Sequence, residues 1–227
     1  MPGVFRISRS YGSASRGRET AHVRALFWRN HRTFCRTMRT FSPATSSLPL
    51  VDRLRADHVG ALVKVAGIAA FTLLTVLGAQ VRIPLFEVPF TLQTLAVYGA
   101  GLFLGARSGA LSGFLYLALG LFMPVFAGAD YGPSYLFGAT GGYLVALPLV
   151  AFVSGLLTER HRSWLGSVAA CLGGLVVLFA LGLTCLKLVT GQPWGTVLAH
   201  GLFPFVLFDL AKIGVATLAY AGARRLM

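Results

Sequence analysis

From Val59 onward the chain alternates apolar stretches of helix length with short polar breaks, whereas residues 1–50 show no sustained apolar period. Six apolar runs follow one another: Val59–Ala79, Thr91–Gly105, Ser108–Ala127, Ser134–Thr158, Trp164–Val189 and Gly195–Ala223. A bilayer helix needs about 17–25 apolar residues. Most of the runs reach that length, and Thr91–Gly105 is short at about 22 Å of helix. The breaks are Gln80 to Pro84, Arg107, the Gly/Pro-rich segment 128–133, Glu159 to Arg162, Gly191 to Pro193, and Arg224-Arg225. This pattern predicts an all-α membrane protein with six transmembrane helices.

Composition agrees with the pattern. The 227 residues are 56% hydrophobic and 12% charged, with mean hydropathy +0.72, against about a quarter charged in a soluble domain. The net charge of +13 suggests a nucleic-acid partner until the chain is divided. Residues 1–58 hold 11 of the 20 basic residues and 3 of the 7 acidic ones, so the basic balance belongs mostly to the N-terminal part and no nucleic acid is expected. Residues 1–50 are Arg- and Ser-rich with Glu19 as their sole acid. They are expected to be a disordered or processed extension, with 51–227 as the membrane domain. Two explanations are open: Met38 is the true start, which is preferred, or the extension is an organellar transit peptide.

The loop charges orient the spans. Arg53, Arg55, Arg107, Arg160, Arg162, Arg224 and Arg225 all fall on one side, against Arg82 on the other. By the positive-inside rule both termini are cytoplasmic, and loops 80–90, 128–133 and 190–194 face outward. Cys35, Cys171 and Cys185 read as small core residues. No His/Cys/carboxylate group has metal spacing, and no catalytic constellation is visible, so neither a metal site nor an enzyme is expected.

The candidate chemistry lies in the sixth run. Counted inward from Arg224, Lys212 lies about 18 Å deep and Asp209 about 22 Å, within a hydrocarbon core of about 30 Å. Both charges must face the bundle interior, and three-residue spacing puts them on one helix face. They form either an ion pair that fixes packing or a site for a polar or anionic solute or a proton. The second is favoured, because isolated intramembrane charges mark solute pathways. Pro84 to Gln93 suggests a re-entrant or lid-like segment over a cavity, with Gln93 as either a hydrogen-bonding group or a helix cap and Glu87 as a solvated loop charge. Gly138-Ala-Thr-Gly-Gly-Tyr143 opens the fourth run with the hydroxyls of Thr140 and Tyr143; it serves ligand approach or close helix packing. Ala66 and Ala70 make a small-xxx-small face. His200 reads as a packing histidine and Lys187 as a snorkelling one. No Walker A pattern occurs.

Val88-Pro-Phe-Thr-Leu-Gln-Thr-Leu95, Gly101 to Gly105, Gly120 to Gly128, Gly138 to Tyr143 and Asp209-x-x-Lys212, in that order, resemble the BioY family, the biotin-binding S components of energy-coupling-factor (ECF) transporters. The resemblance covers about residues 60–225. It implies an ECF S-component-like bundle of six helices in the cytoplasmic membrane that binds biotin from outside, with Asp209, Lys212, Tyr143, Thr140 and Gln93 as ligand residues. It also implies partners: a membrane T component meeting Ala66 and Ala70, and two ATP-binding-cassette ATPases that use ATP, none of it bound by this chain. A homo-oligomer, a solitary biotin transporter, or an S component for another vitamin or small carboxylate are the alternatives. The chain departs from the family pattern at Phe208, where the family commonly has Gly, and at Ala139, where it commonly has Pro.

Overall fold

The computed structural model describes residues 60–84, 88–161 and 163–225. The N-terminal extension, Cys35, Arg53, Arg55, Glu87 and Arg162 lie outside the described residues. The element order is α1 (Ala61–Gln80), β1 (Arg82–Ile83), β2 (Phe90–Thr91), α2 (Gln93–Leu104), α3 (Ala106–Phe122), α4 (Pro133–Leu136), α5 (Gly141–Arg160), α6 (Trp164–Thr190), α7 (Trp194–Gly201) and α8 (Phe203–Arg225).

Each of the six apolar runs contains helix, and the fourth is broken between α4 and α5 at residues 137–140; two further refinements follow. The segment entered through Pro84 folds as a small antiparallel hairpin, Arg82 opposite Thr91 and Ile83 opposite Phe90, so the chain is mostly rather than wholly helical. The sixth run is broken at Leu202 into α7 and α8. Pro204 lies in the first turn of α8, where a missing N–H costs nothing but an unbroken helix through it would lose a bond.

Four helices are long and apolar enough to cross a membrane: Ala61–Gln80, Gly141–Arg160, Trp164–Thr190 and the nearly continuous Trp194–Arg225. With α2 at 12 residues and α3 at 17, the chain is a multi-pass membrane protein with two shorter apolar helices between its first and second long spans. Gly105, at φ 81°, makes the corner between them. The Ala106 N–H, first in its helix, donates to Glu159 Oε1 at 2.9 Å, so a carboxylate from the end of α5 caps the start of α3.

Burial separates centre from edge. The most apolar window of α5 is 56% buried and that of α1 only 17%; α5 packs on α6, α3 and α2, and α1 leaves one flank bare. Polar side chains inside the helices are satisfied locally. Ser154, Thr158 and Thr217 donate to the carbonyls four residues back, Val150, Ser154 and Ile213, so these three hydroxyls need no water in an apolar medium.

Candidate ligand-binding site

A cavity of about 570 Å³, open mouth included, lies at the hairpin end of the bundle, lined by residues of both β2–α2 and α8. One wall is polar: Thr91, Gln93 and Thr94 from the hairpin and α2, Asp209 and Lys212 from α8. The opposite wall is apolar, with Leu144 and Leu147 of α5 and Leu178 and Phe179 of α6. A few polar groups set in an otherwise apolar pocket is the usual build of a small-molecule site.

Three side chains form a closed set on the polar wall. Lys212 Nζ donates to Asp209 Oδ1 and to Thr94 Oγ1, each at 2.9 Å, and Thr94 Oγ1 donates to the same Asp209 oxygen at 2.7 Å. Asp209 and Lys212 are buried, with 4% and 8% exposure. At such depth an ion pair persists only when its hydrogen bonds are well made, and Thr94 completes them. Both bonds to the carboxylate end on Oδ1. Oδ2 is therefore the acceptor left to a ligand among the described residues. Phe90 of β2 faces the ammonium from the other side, its ring centre 4.4 Å from Lys212 Nζ, a favourable cation–π arrangement.

The other expected residues all line the cavity. Gln93 is the first residue of α2 and not its cap, which is Leu92. Its Oε1 accepts from Thr91 Oγ1 at 2.9 Å and its Nε2 donates to the Tyr116 hydroxyl, so the amide is held and still has one N–H to offer. Thr140 is the N-terminal cap residue of α5. Tyr143 spends its hydroxyl on the Gly201 carbonyl at 3.0 Å and presents its ring to the cavity. A side chain at Gly182 would overlap that ring, so glycine there fixes where the tyrosine lies. The hydroxyls of Thr140 and Tyr143 therefore do not act as a matched pair. Tyr135, on the short helix α4, lines the mouth; burial pushes its hydroxyl above the usual tyrosine pKa, so it stays a donor.

Phe208 is not a wall residue. It is 49% exposed and packs on Phe90, ring centres 4.8 Å apart, so it reaches the site only through the ring over Lys212. Ala139 is partly buried against the core. The sequence reading missed Thr94, Thr91 and Phe90, although Thr-x-x-Thr beside Gln93 was a legible cue. It also missed Tyr98, one turn on from Thr94, whose fully buried hydroxyl has no hydrogen-bond partner among the described residues.

The sequence profile described as the BioY family matches residues 50–227. The chain belongs to the BioY family. Among its relatives, the biotin transporter BioY of Thermotoga maritima is 42% identical over 149 residues, 65% of this chain and 88% of the relative. The biotin transporter BioY of Rhodobacter capsulatus is 37% identical over 160 residues, 64% of this chain and 84% of the relative. The crystal structure of the S-component for biotin from an ECF-type ABC transporter superposes with TM-score 0.64 and 26% identity, covering 73% of this chain and 90% of that one. As BioY-family members are transporters, the chain is a transport protein and not an enzyme.

Proposed function

We propose that the chain captures biotin from the outer side of the cytoplasmic membrane and serves biotin uptake as the S component of an ECF-type transporter. The observation that carries the site assignment is the Asp209–Lys212–Thr94 set, a satisfied ion pair with a spare carboxylate oxygen on the wall of a largely apolar cavity. Biotin has a ureido group that donates and accepts, an apolar thiophane ring and a carboxylate. In this reading Asp209 and Lys212 bind its polar groups, Gln93 and Thr140 add hydrogen bonds, and the Tyr143 ring covers the apolar part.

Residues 51–227 make the biotin-binding domain, with six crossings and both termini cytoplasmic, and residues 1–50 are an extension outside it. The arginines Arg107, Arg160, Arg224 and Arg225 at the end opposite the hairpin support that orientation. Partner contact falls to the bare flank of α1, where Ala66 and Ala70 are exposed. This flank meets a T component, and two ATPases supply the energy; the chain itself binds no cofactor.

Equilibrium binding of labelled biotin to the purified protein is the test. Asp209→Asn and Lys212→Ala are each expected to weaken binding more than tenfold, a loss of at least about 1.4 kcal/mol. Unchanged binding in both variants removes the pair from the site. Co-purification with ATPases after detergent extraction decides between an ECF complex and a solitary transporter.

A further inference from the structure

Among the described residues, the one arginine on the hairpin side stands at a second cavity. This outer cavity, about 710 Å³ with its open space, is lined by Arg82, Pro84 and Ser134 among others, and shares Pro89, Tyr135 and Thr140 with the ligand cavity. The two spaces therefore share a wall, with Arg82 on the outer one and Asp209 on the inner one.

Arg82 is held but not used up. Its Nη1 donates to the Ala127 carbonyl at 3.0 Å, and Ala127 is itself a wall residue of the inner cavity. Tyr135 Oη donates to the same carbonyl at 3.4 Å, which puts guanidinium and hydroxyl side by side. Gly128, at φ 85°, lies directly against the guanidinium, where a side chain would overlap it. The ion pair to Asp130 is loose, 3.9 Å with both partners 40–51% exposed. Nε and Nη2 have no partner among the described residues. That is an open fork matched to a carboxylate.

The floor of the cavity is the poorer place for an anion. Lys212 already gives two of its three N–H bonds to Asp209 and Thr94, and the couple is electrically neutral. A ligand carboxylate there adds an uncompensated buried charge next to Asp209, which is costly. A neutral donor–acceptor group such as a ureido adds none. The hairpin register sets Arg82 opposite Thr91, three residues ahead of Thr94, so one hairpin ties the outer cavity to the polar wall of the inner one.

We infer that Arg82 forms a second subsite, which holds the carboxylate of the ligand's acyl tail at the mouth while the Asp209–Lys212 couple takes the ureido end. This rests on the biotin reading above. The experiment compares biotin with its uncharged primary amide, biotinamide, on wild-type protein and on Arg82→Gln. Wild-type protein is expected to bind the acid about five- to tenfold more tightly than the amide, and Arg82→Gln to remove that preference by weakening the acid while leaving the amide within about twofold. A wild type without preference, or a variant that loses acid and amide equally because Arg82 only braces the 127–130 turn, overturns the subsite. Wild-type protein that binds neither compound overturns the biotin reading itself.

Discussion

The two basic groups of the ligand cavity and its outer neighbour, Lys212 and Arg82, live in opposite conditions. Lys212 is 9% exposed at its side chain and sits 2.9 Å from its carboxylate; Arg82 is 40% exposed and 3.9 Å from its own. The first pair has Thr94 to complete it and an aromatic ring over the ammonium. The second has water to replace any bond it loses. A buried pair gains little from its charges as such, because desolvation offsets attraction, but it has one geometry, and one geometry selects a ligand. A wet pair is weak and exchanges partners freely, which suits first contact with a solute. On the proposed reading, selectivity and capture thus draw on the same kind of group at different depth.

The difference is sharpest in stability. Lys212→Met leaves Asp209 buried without its cation, and thermal unfolding in detergent should show a loss of about 3–5 kcal/mol. The double variant Asp209→Asn/Lys212→Met removes both charges and should recover most of that loss while still failing to bind; a double variant as unstable as the single would mean that the pair is not coupled. Next in size, Thr94→Val removes the donor to Asp209 and the acceptor for Lys212 together. It should cost about 1–3 kcal/mol in biotin binding, against little change for Thr91→Val, whose bond to Gln93 lies outside the closed set. The smallest effect is expected at Tyr98→Phe. Its hydroxyl has no partner among the described residues, so the melting temperature should be unchanged or slightly raised; a clear fall would reveal a partner that forms only in the working protein.

Much of this was legible in the sequence because charge in an apolar run is conspicuous. Asp209 and Lys212 could be assigned a depth and a common face by counting alone, and the structure puts them on one cavity wall. Thr94 could not be found that way. A threonine in a membrane helix usually bonds its own backbone, as Thr72, Thr158 and Thr217 do, and only the packing of α2 on α8 brings it to a carboxylate 115 positions away. The hairpin escaped for a related reason. Prolines at 84 and 89 announce a turn, but which residues pair across it is set by the helices on either side. The break before α8 was announced by Pro204 and lost in the apolarity around it. Phe208 was noticed for its position beside Asp209; a helix turns about 100° per residue, and neighbours in sequence face different ways.

The neutrality of the Asp209–Lys212 couple also has an electrical side. Carrying one elementary charge through the membrane field is worth about 2.3 kcal/mol per 100 mV, so a helix with a lone lysine at mid-depth would be pushed by the voltage. Two opposite charges 2.9 Å apart make a short dipole on which that push nearly cancels. A tilt or shift of α8 in the bilayer would therefore do little work on this couple against the membrane voltage.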